Sequence, residues 1–369
     1  MKYALSLAFM SLLMASAVGQ DAPPALSRPL PTLQHLRDVD ISTFWHKAII
    51  RQLAFSPNSK YLAIKLDPML GTTDVTIIEI RTGKKISTMH SPEYLGMSRD
   101  EKLQWLDNEI VFLGSRYRWN ALTGTRLTDA PVIGWQALFN KDRSKLATVE
   151  NGLGTPSYLH IYDTKKWSDQ RTYVDDLSIA TMAWTSDGNL IMSVGTTPKA
   201  MRKTIEGYQI LQGADVALRL FNTNNQIFTK TIWFPAHAIK TDKGIEWNPS
   251  ADLTLGISCF GSNNATLSVN KYLDGRTLTI KQFYTNEQVK SNSVAMIGGQ
   301  ACSADGRFLF IKDVNSFDGH HKAANSIIDL ALAKQVGTFP GGEEEIATSD
   351  DGRFLAFGGG KGASIFFIK

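Results

Sequence analysis

Leu53–Lys84 reads LAFSPNSKYLAIKLDPMLGTTDVTIIEIRTGK, and the fold is decided by how this stretch is parsed. Leu53 and Phe55 alternate with smaller neighbours, and Ser56-Pro57-Asn58-Ser59 supplies turn chemistry. Tyr61, Leu62 and Ile64 resume an apolar run, Val75, Ile77 and Ile78 form a third, and Thr82-Gly83 turns the chain again. The pattern is strand, tight turn, strand, loop, strand, turn. One such unit exposes too much apolar surface to stand alone, so its meaning depends on recurrence.

It recurs. An aromatic or small residue closing a strand just before turn residues is found at Phe55, Trp105, Phe139, Trp184, Trp247, Cys302 and Thr348. The spacings between these anchors are 50, 34, 45, 63, 55 and 46 residues, close to the ~40–50 residues of a propeller blade. Third-strand endings follow: Ile78-Glu79, Trp119-Asn120, Tyr162-Asp163, Phe221-Asn222, Asn270-Lys271 and Ile328-Asp329. The expected fold is all-β, a seven-bladed β-propeller of four-stranded antiparallel blades. The last unit stops at its third strand, Ser364–Lys369, while strand-like Val39, Ile41, Thr43 and Trp45 precede the first full unit. Pairing these ends closes the ring and hides two sheet edges.

Phe55-Ser56-Pro57-Asn58-Ser59-Lys60-Tyr61-Leu62-Ala63 resembles the strand–turn–strand signature of WD40-like and YVTN-like bacterial propellers. Trp119-Asn120, Tyr162-Asp163 and Ile328-Asp329 stand where that family's Trp-Asp pair falls, and His46 matches its Gly-His histidine. The likeness covers roughly 37–369, with no intact Gly-His and no literal Trp-Asp in any unit. It implies a scaffold that binds a protein or peptide.

Residues 1–19 carry one charge, Lys2, then an apolar run from Ala4 to Met14 and small residues up to Gly19, the pattern of a secretory signal. Cleavage before Val18 or before Gln20 suits the small residues. The run is too short to span a bilayer, so an exported chain, periplasmic or extracellular, without a membrane span is expected. Residues 20–32, with Pro23, Pro24, Pro29 and Pro31, read as a linker, and 33–369 as the propeller. The formal charge of +4, or +3 without Lys2, is too near balance to indicate nucleic acid. Cys259 and Cys302 sit in apolar strand-like runs, which favours two buried thiols over a disulfide, and neither belongs to a Cys-x-x-Cys pattern.

In a propeller the second-to-third-strand loops and the blade-to-blade loops share one face, and this chain places its extra residues there. Candidate binding residues are Arg116 and Tyr117 in unit two, Lys199, Arg202, Lys203 and Tyr208 in the unit-four insert, and His320 and His321 in unit six. His320-His321 near Asp313 and Asp318 lacks a third ligand at a diagnostic spacing and reads as a surface loop, so no metal is expected. Gly256-Ile257-Ser258-Cys259-Phe260 lacks the second glycine of a nucleophile elbow and reads as a strand. No catalytic residue and no cofactor is assigned. The expected function is a monomeric, non-catalytic protein- or peptide-binding scaffold. The alternative is an enzyme similar to periplasmic lactonase or quinoprotein-dehydrogenase propellers, which needs titratable groups converging at the central funnel.

Overall fold

The computed structural model describes residues 30–41, 48–68, 74–90, 102–150, 157–174, 177–184, 188–196, 201–204, 207–210, 216–234, 238–241, 244–247, 256–260, 267–272, 278–282, 288–291, 300–311, 325–329, 334–339, 345–359 and 362–369. The chain divides into two units, Met1–Pro31 and Thr32–Lys369. The proposed signal segment, His46, Asp313, Asp318, Lys199, His320 and His321 lie outside the described residues. Among the described residues every regular element is a strand, and no helix is long and apolar enough to cross a membrane.

Among the described residues, seven antiparallel sheets of three or four strands follow one another along the second unit, together with two separate two-stranded hairpins. The first holds Ala48–Phe55, Tyr61–Pro68, Asp74–Glu79 and Lys85–His90. The second holds Leu103–Trp105, Ile110–Leu113 and Tyr117–Asn120, and the third Trp135–Phe139, Lys145–Glu150, Tyr158–Asp163 and Asp169–Tyr173. The fourth holds Leu177–Trp184, Leu190–Thr196, Val216–Asn222 and Ile227–Phe234. The fifth holds Gly256–Phe260, Leu267–Tyr272, Leu278–Gln282 and Gln288–Ser291, and the sixth Gln300–Cys302, Phe308–Ile311, Asn325–Asp329 and Lys334–Phe339. The seventh combines Glu345–Thr348, Phe354–Gly358 and Gly362–Ile368 with Leu33–Asp40 from the other end of the chain. A pairing between the two ends of the chain was expected; it runs from Leu33 opposite Ile368 to Asp40 opposite Gly362, so the strand starts and ends earlier than the expected run through Ile41, Thr43 and Trp45, of which the last two lie outside the described residues.

Three expectations are corrected. The second sheet has three regular strands, not four. Its outer edge is covered by an irregular segment in which Leu127 N donates to Arg118 O and Ala130 N to Arg116 O, both at 2.9 Å. In unit five, Trp247 does not end a first strand of a four-stranded sheet. It lies on a separate hairpin, Ala238–Thr241 with Gly244–Trp247, and the fifth sheet begins at Gly256–Phe260. Finally, Cys302 is disulfide-bonded, and the only other cysteine of the chain is Cys259. Their strands, first in neighbouring sheets, lie side by side, a proximity no sequence run reveals. A bridge across that separation removes about 4 kcal/mol of unfolded-chain entropy.

The repeat is written in hydrogen bonds more clearly than in residues. At Ser56, Ser303 and Ser349 the hydroxyl donates to Asn58, Asp305 or Asp351 two residues on (2.8, 2.6 and 2.7 Å) and accepts the amide five residues on (3.0, 2.9 and 2.9 Å). Asn140 replaces the serine in the third sheet, accepting Lys145 N at 2.9 Å. The fourth turn residue is left-handed each time: Ser59 (φ 55°), Arg143 (61°), Gly306 (70°) and Gly352 (71°). Third-to-fourth-strand turns repeat as well. Asn120, Asp163 and Asn222 each accept two amides from the turn that follows them, which gives the residue closing the third strand a local task.

These turns carry a pH dependence. Hydrogen bonds from the Ser144 hydroxyl and amide hold the Asp142 carboxyl below the ordinary value of 3.8. Burial pushes Asp351 up, but hydrogen bonds from Ser349 and from the Arg353 amide and guanidinium outweigh it, and its carboxyl is lowered too. A lowered folded-state value contributes stability that is full above the unfolded value and is lost as pH falls through the folded one. The urea midpoint of the wild type is therefore expected to fall below pH 4 more steeply than that of an Asp142→Asn/Asp351→Asn variant. The difference is about 1 kcal/mol between pH 6 and pH 3, discounted for exposure. Parallel profiles would contradict this assignment.

Consecutive sheets touch through their first strands. Trp105 donates its indole N–H to Ala54 O at 2.9 Å, Trp184 to Leu138 O at 2.8 Å, and the Thr348 hydroxyl donates to Cys302 O at 2.5 Å. Each donor is an anchor residue, and each acceptor is at or beside the anchor of the preceding sheet. Gln104 bridges the second and third sheets, donating to Ala137 O and accepting Phe139 N. The first strands of the third and fourth, fourth and fifth, and fifth and sixth sheets are neighbours, and Ala48–Phe55 lies beside both Leu103–Trp105 and Glu345–Thr348. The apolar core lies between sheets. Ile50, Leu53 and Phe55 of the first sheet pack with Ala356, Ala363 and Ile365 of the seventh.

Candidate functional site

Where the first strands of the first, second, third and seventh sheets end, they line a solvent-open pocket of about 250 Å³. Its walls are the strand ends themselves, and the turns after them supply its polar groups. Leu53, Phe55, Trp105 and Phe139 form the apolar part, and Lys141, Arg143 and Asp350 stand among the polar lining.

Arg143 organises this place. It occupies the left-handed position that Gly306 and Gly352 fill in the sixth and seventh sheets, where a side chain costs about 1–2 kcal/mol. Its backbone is held at both ends: Arg143 N donates to Asn140 O at 3.0 Å, and Arg143 O accepts the Thr164 hydroxyl at 2.7 Å. Its guanidinium donates from Nε to Trp105 O and from Nη1 to Lys141 O, both at 3.0 Å. The Nη2 group pairs with Asp350 of the seventh sheet. A turn of the third sheet is thereby tied to the second and seventh. Arg143 is the inner member of the ion pair, its side chain 20% exposed against 46% for Asp350.

The other end of the fourth sheet differs in kind. Val216 lies opposite Gly195 on one side and Phe234 on the other, so the second-to-third-strand connection and the exit toward the fifth sheet leave from the same end. Each carries a hairpin that belongs to none of the seven sheets: Met201–Thr204 with Gly207–Ile210, and Ala238–Thr241 with Gly244–Trp247. Arg202, Lys203 and Tyr208 are on the first hairpin, with Lys203 opposite Tyr208 and Arg202 opposite Gln209.

In the second sheet the expected pair separates. Arg116 is exposed, whereas Tyr117 is buried in the core with Trp119, its hydroxyl accepting from Arg116 at 2.8 Å. Strand alternation puts Tyr117 and Trp119 inside and leaves Arg116 and Arg118 outside. Of the predicted binding residues, Arg202, Lys203 and Tyr208 are brought together on one hairpin, and Arg116 belongs to a different sheet.

Two histidine–carboxylate contacts, one around a buried His160 and one around a buried Asp74, went unread in the sequence. His160, with a side chain 2% exposed, sits between Asp169 (Nδ1, 2.8 Å) and Glu150 (Nε2, 3.2 Å), and Arg171 pairs with Glu150 at 2.9 Å. Both ring nitrogens are occupied by neighbours from the same sheet, which makes the cluster a cross-strand brace. Asp74 meets His90 Nδ1 at 2.6 Å; burial raises the Asp74 carboxyl above its usual value, and the histidine opposes that rise. Strand register brings these partners together: Asp74 lies opposite His90, and His160 opposite Arg171.

A scan against protein-family models and a search of curated proteins found no match to this chain.

Proposed function

We propose that residues 32–369 form a seven-bladed, WD40-like propeller, exported from the cell, that acts as a non-catalytic scaffold for a protein or peptide. The propeller reading is supported by the succession of seven sheets, by neighbouring first strands, and by the pairing of Leu33–Asp40 with Gly362–Ile368. The binding reading is carried by one observation. Two hairpins outside the seven sheets leave the fourth sheet from a single end. A chain that needs only to close its sheets has no use for them there, and loops on a rigid framework are where recognition residues concentrate.

The test replaces residues 197–215 with a short Gly-Ser turn. The expected result is an unchanged urea midpoint together with loss of the partner captured from the exported fraction by the wild-type chain. Capture of the same partner in equal amount by the replaced variant would overturn this choice of surface.

A further inference from the structure

We propose that the outer edge of Met201–Thr204 takes up an extended, acidic segment of a partner protein as an added β-strand. The inference rests on the hairpin surface proposed above, and names how that surface binds and which chemistry it selects.

The argument begins with strand number. Among the described residues the sheets that stop at two strands are the two hairpins, Met201–Thr204 with Gly207–Ile210 and Ala238–Thr241 with Gly244–Trp247. A two-stranded hairpin is marginal in water, and a third strand is what gives such a sheet stability of its own. Among the described residues no strand pairs with the outer edge of Met201–Thr204. Alternate residues of such an edge turn their N–H and C=O groups outward, a template for one more strand.

The residues on that edge select its occupant. Met201-Arg202-Lys203-Thr204 holds two adjacent cations and no acid, while Gly207-Tyr208-Gln209-Ile210 across from it is uncharged. Two copies of this edge in antiparallel pairing would set cation against cation, which opposes self-association. The same two charges favour a strand that brings carboxylates. The register sets the spacing of those carboxylates. Lys203 opposite Tyr208 and Met201 opposite Ile210 place these four residues on one face of the hairpin, and Arg202 opposite Gln209 lies on the other. A segment alternating apolar and acidic residues continues both faces. Its apolar residues extend the face of Met201, Tyr208 and Ile210, and its carboxylates extend the face of Arg202.

The probe is acetyl-Thr-Val-Glu-Ile-Glu-Val-Glu-Thr-amide, dye-labelled and titrated with the full chain by fluorescence anisotropy at low ionic strength. The wild type is expected to bind it with a dissociation constant on the order of 100 μM. Two further peptides carry N-methyl groups on either the apolar or the acidic residues. One is expected to lose at least tenfold in affinity and the other to keep it, because an added strand uses the donors of only one of its edges. Arg202→Glu/Lys203→Glu is expected to weaken the probe at least tenfold and to bind instead the peptide with lysine in place of glutamate, at an unchanged urea midpoint. The proposal is overturned if the wild type shows no saturable binding of the probe, or if both methylated peptides bind alike. A wild-type dimer that the charge-reversed variant does not form gives the edge to a second copy and overturns it too. Where partner capture still depends on residues 197–215 after such a result, the hairpin surface stands and only the mode of binding falls.

Discussion

A chain beginning at Ile41 is expected to lose at least 3 kcal/mol of stability and to aggregate, even though it removes only one outer strand of one sheet. The strand Leu33–Asp40 pairs along its length with Gly362–Ile368, and Thr32 and Lys369 exchange two further backbone hydrogen bonds at 3.2 and 3.0 Å. Val39 is buried with Ala363 and Ile365, and the Ser364 hydroxyl donates to Asp38 at 2.7 Å. Arg37 reaches out of the sheet to the first one, donating to Arg81 O and Thr82 O, both at 2.6 Å. Deletion removes all of these contacts and leaves Ile365-Phe366-Phe367-Ile368, apolar and uncharged, as an unpaired edge, the sequence type that adds strands from other molecules. Light scattering and urea unfolding measure the effect. A synthetic peptide of residues 32–41 added in trans is expected to restore solubility by re-forming the edge. A truncated chain as soluble and as stable as its parent would show that this strand is dispensable.

The second large effect is expected at Asp329. Its side chain is fully buried and accepts from Arg307 Nε at 3.1 Å and Nη2 at 2.8 Å. Asn120, Asp163 and Asn222, at the corresponding position in other sheets, accept amides from their own turns, and in the sixth sheet this position forms a charge pair with the strand before it. Asp329→Ala removes a fully buried carboxylate and both guanidinium bonds that it accepts, and is expected to cost about 3 kcal/mol in urea unfolding. Pairing it with Arg307→Met removes the other half of the charge pair, while the methionine can still pack on Phe308, over which Arg307 lies at 4.8 Å. The double variant is expected to recover most of the loss. A single variant within 1 kcal/mol of wild type, or a double variant no better than the single, would refute the charge-pair account.

Much of the architecture was readable because its signals are local. Ser56-Pro57-Asn58-Ser59 and Ser349-Asp350-Asp351-Gly352 hold the chemistry that closes their own hairpins, and the anchors before them end real strands. Unit five shows the limit. Trp247 followed by Asn248-Pro249-Ser250 carries the same local signal, and it does end the strand of a hairpin. Whether a hairpin recruits third and fourth strands is decided by what packs against it, and Phe260 followed by Gly261-Ser262-Asn263-Asn264 offers an equal local signal thirteen residues later.

The pocket was less legible still. Arg143 lies where the sixth and seventh sheets have glycine and the first has Ser59, and its ion-pair partner is more than two hundred residues away. The burial of Tyr117 has a simpler origin. A period of two across Arg116, Tyr117, Arg118 and Trp119 already separates core from surface, but adjacency to Arg116 obscured it.

The pairing of Thr32 with Lys369 has a mechanical meaning. The two residues are hydrogen-bonded neighbours at one end of an antiparallel ladder, so a pull between them opens that ladder one rung at a time instead of loading all rungs together. Tension across the two ends meets little resistance there, whatever the stability of the sheets behind it. The same strands that complete the seventh sheet are thus its zip fastener, secure at rest and weak when drawn from the tab.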